Sequence, residues 1–188
     1  MKLTTTLLSL TPILPLALTC SDDHFTVMSI RSGSPIQYLP LTASDTYFYL
    51  GGTTSSACPS DIAAYDACPP GNQTVIGTSN YLDSAYVQEI YVAPTGALKF
   101  VEAHTTYIDP GSSTATFCYT PGTPIGHWTY SSGDVEGFMA CPTEEGLYQV
   151  FANMANATVP LGDVSDCLGF DAATVAYNSS SVAAWQYD

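Results

Sequence analysis

Apolar and polar residues alternate along this chain in short runs, and each run stops at Gly, Pro, Asn or Ser. Phe25-Thr26-Val27-Met28-Ser29-Ile30 alternates and ends at Ser32-Gly33. Tyr47-Phe48-Tyr49-Leu50 ends at Gly51-Gly52. A period of two, with β-branched and aromatic residues at the apolar positions, marks strands with one face buried. The clearest hairpin joins residues 86–92 to residues 97–101 across Pro94-Thr95-Gly96. Pro94 presets one turn residue there, and Gly96 can take the left-handed conformation that closes a short loop. Further strands are expected at residues 116–120, 127–130, 137–140, 148–152 and 174–177. Residues 57–72 read as a loop and residues 109–113 as a turn. Helical periodicity is nearly absent, and no linker or low-complexity block divides the chain. The fold class is therefore all-β, a single antiparallel β-barrel or sandwich. Strand pairs ending near Gly51, His104 and Ala152 give a faint threefold rhythm, which suits a β-trefoil-like arrangement.

The first residues follow a different pattern. Lys2 precedes a short apolar stretch from Leu7 to Leu18, and Ser21-Asp22-Asp23 comes directly after it. Basic tip, short apolar core and polar exit make a secretory signal peptide, which assigns residues 1–19 to the signal and 20–188 to a secreted β domain. Ala17 and Thr19 suit cleavage before Cys20, and cleavage one residue later is the alternative. No later run reaches the ~20 apolar residues of a membrane helix. The C-terminal residues 183–188 lack the apolar tail of a glycosylphosphatidylinositol anchor.

Composition sharpens this picture. The 188 residues carry 3 Lys+Arg against 17 Asp+Glu. Loss of Lys2 with the leader leaves Arg31 and Lys99 as the cations of the secreted part. Nucleic acid is excluded as a partner, because binding it requires cationic groups that displace condensed counterions. An anionic membrane surface is excluded on the same ground. Disorder is not implied, since 46% of the chain is hydrophobic and 11% charged.

Six cysteines, Cys20, Cys58, Cys68, Cys118, Cys141 and Cys167, fit an oxidising compartment and a disulfide-stabilised fold. Their spacing allows more connectivities than sequence can choose between. Three N-glycosylation sequons begin at Asn72, Asn156 and Asn178.

Candidate chemistry is sparse. Glu102 and His104 stand two apart, so on a strand they would share a face and could form an acid/base pair. No nucleophile stands at a recognisable spacing from them, and a structural polar pair is the simpler reading. An N-terminal His24 would suit copper, but cleavage after Asp23 lacks the small residues a signal peptidase needs. His127 beside Trp128 reads as a packed strand pair. Asp61, Asp66, Asp163, Asp166 and Asp171 match no calcium-loop spacing and read as solvated loops. Tyr38, Tyr47, Tyr49, Trp128, Tyr130 and Trp185 could build a sugar-stacking face, although strand-borne aromatics more often fill a core. No motif for a cofactor, metal or phosphate occurs, so no cofactor is expected.

One resemblance runs through nearly the whole chain. Val27-Met28-Ser29-Ile30-Arg31-Ser32-Gly33-Ser34-Pro35-Ile36, Phe48-Tyr49-Leu50-Gly51-Gly52 and Cys68-Pro69-Pro70-Gly71-Asn72-Gln73-Thr74 carry its first half. Tyr91-Val92-Ala93-Pro94-Thr95-Gly96-Ala97-Leu98, Gly137-Phe138-Met139-Ala140-Cys141-Pro142-Thr143, Gln149-Val150-Phe151-Ala152, Asp166-Cys167-Leu168-Gly169-Phe170-Asp171-Ala172 and Ala184-Trp185-Gln186-Tyr187 carry the second. In this order they resemble fungal secreted proteins related to the phialide cell wall protein PhiA, also known as IgE-binding proteins. The resemblance implies a secreted or wall-associated protein without enzymatic activity. Its implied partners are wall polysaccharide or, as in elicitors of plant defence, a host surface component. It also implies the bridges Cys58–Cys68 and Cys141–Cys167, with Cys20–Cys118 left over if cleavage precedes Cys20. By loop-closure entropy the first two would contribute about 3 and 3.5 kcal/mol. Three functions follow for comparison: a structural wall protein, a glycan- or host-binding module, and a glycoside hydrolase using Glu102 or other acids. The last requires a cleft with two carboxyls about 5–9 Å apart.

Overall fold

A computed structural model describes residues 19–114 and 117–188. The signal peptide expected over residues 1–19 lies outside the described residues except for Thr19, and Thr116 of an expected strand also lies outside them. Among the described residues thirteen strands run in chain order. They are β1 (Phe25–Ile30), β2 (Leu41–Ser44), β3 (Tyr47–Leu50), β4 (Ser56–Ala57), β5 (Ile90–Val92), β6 (Leu98–Phe100) and β7 (Phe117–Thr120). They continue with β8 (Gly126–Ser132), β9 (Val135–Glu136), β10 (Phe138–Pro142), β11 (Tyr148–Ala152), β12 (Leu168–Ala176) and β13 (Gln186–Tyr187). One short helical turn, α1 (Ser60–Ala63), sits in the loop after β4.

Eleven of the strands form one antiparallel sheet in the order β5-β6-β3-β11-β10-β12-β8-β7, with β1 on β12, β2 on β3 and β9 on β8. The sheet curls into a half-barrel because β12 serves two neighbours in succession. Leu168 to Phe170 pair with β10, and Ala172 to Thr174 pair with β8. The curl brings β1 and β2 together at an isolated bridge between Met28 and Pro40. Hairpins β2/β3, β5/β6 and β10/β11 lie side by side through the β3–β6 and β3–β11 pairs. The threefold rhythm in the sequence corresponds to these neighbouring hairpins.

Alternation places the core as expected. β1 buries Phe25 and Val27, and β8 buries Gly126, Trp128 and Tyr130 while His127 and Thr129 face solvent. The concave face is strongly aromatic. Trp128 stacks on Phe138 (4.7 Å between centroids) and Phe117 (5.4 Å), and Phe25 stacks on Tyr119 (4.1 Å). Trp128 and Tyr130 are thus core residues, 2% and 3% exposed, and belong to no sugar-stacking surface. β10 is buried on both faces, because residues 157–167 fold over its outer side and add Val159 to a second cluster with Met139 and Phe151. Cys141–Cys167 pins that cover, Cys58–Cys68 closes the loop around α1, and Cys20–Cys118 ties the segment ahead of β1 to β7. Among the described residues no helix is long and apolar enough to cross a membrane.

The C-terminal strand is locked by a buried side chain. β13 pairs with β4, and Gln88 lies against it with no exposed surface. Gln88 Oε1 accepts from the Tyr187 N–H (2.8 Å), and its Nε2 donates to the Tyr187 carbonyl (2.8 Å) and the Val101 carbonyl (3.3 Å). A side-chain amide here does the work of a strand partner. Tyr187, 1% exposed, donates its hydroxyl proton to the Gln73 carbonyl (2.9 Å) and accepts from the Val75 N–H (3.2 Å). Burial pushes its phenol pKa far above the ordinary value.

Candidate functional site

The segment between Ile76 and β5 builds a cleft of about 480 Å³ against the start of β1. Two bridges shape it, Ile76 with Leu82 and Tyr81 with Glu89, and a single tight turn at Thr78–Asn80 rounds its end. Gly77 admits the His24 ring, because a Cβ there would stand 3.0 Å from His24 Nε2. Asp83 forms the floor at 7% exposure. Its N–H donates to the Val75 carbonyl (2.9 Å), and its own carbonyl accepts from Ala183 and Ala184 (3.2 Å each). Its Oδ2 accepts from the Ala183 N–H (3.1 Å) and lies 3.5 Å from His24 Nδ1. A nearly buried carboxylate thus joins the N-terminal strand, the cleft segment and the C-terminal segment.

Aromatic rings border this carboxylate. Tyr81 and Tyr86 line the cleft, with Val87 beside them at 72% exposure. Tyr86 meets His104 edge-on at 4.3 Å and Trp185 at 6.3 Å between centroids. The aliphatic hydroxyls in the cleft, those of Ser84 and Thr78, are committed elsewhere. Ser84 donates toward the Tyr86 carbonyl (2.8 Å) and Gln88 Oε1 (3.0 Å), and Thr78 donates to the Asp22 carbonyl (3.1 Å). An acceptor carboxylate, an imidazole and flanking rings are suited to hold a polyhydroxylated ligand, whose hydroxyls bond to the first two and whose C–H face packs on the rings.

The residues singled out from sequence fall in other places. Glu102 and His104 are both exposed, but they stand in the turn after β6 rather than on a strand, and His104 has φ 68°. Glu102 lines none of the principal clefts among the described residues. His104 contributes to the aromatic rim instead. His127 faces solvent, while its neighbour Trp128 is in the core, as alternation along β8 requires. Asp61, Asp66, Asp163, Asp166 and Asp171 are exposed, and no group of three or more His, Cys, Asp or Glu that could hold a metal occurs among the described residues. Asp163 caps the turn at Val164–Asp166. The Ser165 hydroxyl and its N–H (2.8 Å) hold the Asp163 carboxyl below its ordinary pKa.

Among the aromatics, Tyr38 is 65% exposed, while Tyr47 and Tyr49 are half-buried on the convex face. Tyr47 covers Lys99, whose ammonium lies 5.0 Å from the Tyr47 centroid, 5.8 Å from that of Tyr91 and 3.2 Å from Asp109 Oδ2. Burial lowers the Lys99 pKa, but Asp109, Tyr91 and Tyr47 outweigh it and leave the group above its ordinary value. Asn72, Asn156 and Asn178 are all exposed. The sequence carried no signal for Asp83, Tyr86 and His24 acting together, since no local spacing relates them.

Residues 25–188 match the family of PhiA-like secreted proteins. An uncharacterised secreted protein of Arthroderma benhamiae is 39% identical over 156 residues, which is 81% of this chain and 79% of that protein. No solved structure matches the chain. The chain belongs to the PhiA-like secreted protein family and is a secreted protein.

Proposed function

We propose that this protein is a non-enzymatic component of the fungal cell surface that holds wall polysaccharide in the cleft between His24, Asp83 and Tyr86. The observation that carries the reading is a nearly buried carboxylate bordered by tyrosines in an open cleft. That combination supplies hydrogen-bond acceptors and stacking surface, and Asp83 is the one carboxyl among the residues that line the cleft, where glycoside hydrolysis uses a pair. The committed hydroxyls of Ser84 and Thr78 support a binding role, and so does the position of Glu102 outside the clefts. Membership of the PhiA-like family supports the wall as the setting.

Co-sedimentation with insoluble fungal wall tests this reading. Tyr86→Ala removes one stacking ring, which is worth about 1–2 kcal/mol, and is expected to weaken retention by roughly tenfold. Circular dichroism verifies that the variant is folded. Equal retention of the folded variant and the wild type would overturn the proposal.

A further inference from the structure

The cleft holds a charge that the protein matches only in part. Asp83 has 6% of its side chain exposed, and a carboxylate so buried is costly unless a cation or several donors compensate it. Its Oδ2 accepts the Ala183 N–H at 3.1 Å and lies 3.5 Å from the His24 imidazole. No Lys or Arg forms an ion pair with it among the described residues. The Lys99 ammonium is bound to Asp109, and the Arg31 guanidinium donates to the Gly169 carbonyl. Neither residue lines the cleft. Backbone neighbours of the cleft add to the negative sign. They are Asp22, whose carbonyl accepts from Thr78, and Glu89, which bridges Tyr81. The chain as a whole has a formal net charge of −14. The cleft therefore presents a carboxylate to a ligand, with no fixed cation there to repel a positive one.

We infer that the ligand of this cleft is an amino-sugar polymer, and that a glucosamine ammonium of a deacetylated chitin chain completes the charge balance of Asp83. The inference rests on the reading of the cleft as a polysaccharide site and adds the chemical class of the sugar. The ammonium on C2 of glucosamine brings a full charge and three donors, so its bond to the Asp83 carboxylate is charge-assisted. Tyr81 and Tyr86 line the same cleft, and a tyrosine face attracts an ammonium as well as the C–H face of a sugar ring. At the same carbon N-acetylglucosamine carries a neutral amide with one N–H and a bulkier acetyl group, and glucose carries a neutral hydroxyl. Both leave the Asp83 charge as it stands in the free protein. A polyuronate is repelled by the same carboxylates. At longer range the negative field of the whole protein raises the concentration of a polycation at its surface. The field attracts the chain, and Asp83 with its bordering rings determines where it settles.

The test titrates the ¹⁵N-labelled secreted protein with hexamers of glucosamine, N-acetylglucosamine and β-1,3-linked glucose, near neutral pH, where a short glucosamine chain is soluble and charged. NMR reports both affinity and place. The glucosamine hexamer is expected to bind at least about tenfold more tightly than the other two, the difference between a charge-assisted and a neutral hydrogen bond. Its shifts should centre on His24, Asp83, Tyr86 and the Ala183 amide. Asp83→Asn should remove most of the preference, while Tyr86→Ala should weaken all three hexamers. Should Asp83→Asn fail to fold, the wild-type comparison still decides, because deacetylation changes the ligand and not the protein. Equal affinities with shifts in the cleft would overturn the amino-sugar assignment and leave a site for neutral glycan. A tighter glucosamine hexamer whose shifts lie elsewhere, or whose preference survives in folded Asp83→Asn, would also overturn it, as adhesion to the acidic surface at large. If no hexamer shifts the cleft residues, the polysaccharide reading falls together with the assignment.

Discussion

Asp45 and Thr46 close the β2/β3 hairpin with φ of 51° and 65°. A two-residue turn with both residues left-handed is the form that follows the natural twist of the strands. Asn-Gly or Asp-Gly would have announced it, but a β-branched residue in that region is strained. This explains why β2 was not legible in the sequence: Leu41-Thr42-Ala43-Ser44 is short, and the turn after it bears no recognisable signature. Gly96 contrasts with it. It adopts φ 89° in the β5/β6 turn, where a Cβ would also stand 3.0 Å from Ala157, and this turn was readable from Pro94-Thr95-Gly96. Thr46→Gly is expected to stabilise the fold by about 0.5–1 kcal/mol, since relief of strain exceeds the added chain entropy. A urea midpoint that moves down instead of up would contradict this reading of the turn.

At the scale of elements, regular alternation was readable and borrowed pairing was not. β1, β3 and β8 carry clean apolar faces, β11 buries Val150, Phe151 and Ala152 in succession, and all four stand close to where the pattern put them. The expected strand over residues 86–92 shortens to Ile90–Val92, because Gln88 turns inward to serve β13. β12 begins at Leu168, earlier than residue 174, and its early part contains Gly169 and Asp171, which interrupt the pattern. β13 has no pattern at all and depends on Gln88 and on the buried Tyr187 phenol. That dependence predicts alkaline sensitivity. The folded state raises the Tyr187 pKa, so its contribution is fully present below the unfolded value near 10 and is lost as pH rises past it. Unfolding free energy should fall by about 1.4 kcal/mol per pH unit above pH 10 from this one proton. Tyr187→Phe should remove that part of the slope while lowering stability at neutral pH. Denaturant titrations at several alkaline pH values check this, and parallel curves for the two proteins would refute it.

For the whole molecule, three disulfides, a curled sheet and an acidic surface describe a protein shaped for the extracellular environment. The all-β class was legible from alternation, turn residues and the scarcity of helical period. The half-barrel curl was not, because it arises from β12 changing neighbours midway. The candidate site was the least legible part. His24, Asp83 with Tyr86, His104 and Trp185 come from four separate stretches, so their meeting is a property of the closed fold. Several readings of single residues weakened once burial was known: Trp128 and Tyr130 went to the core, and Glu102 to an exposed turn. Titration of the ¹⁵N-labelled protein with soluble chitin and β-glucan oligosaccharides, followed by NMR, tests the binding account most directly. The account predicts shifts confined to residues 77–87, His24, His104 and the Trp185 indole, with the oligosaccharide recovered intact. Shifts located elsewhere, no shifts at all, or shortened oligosaccharide would contradict it.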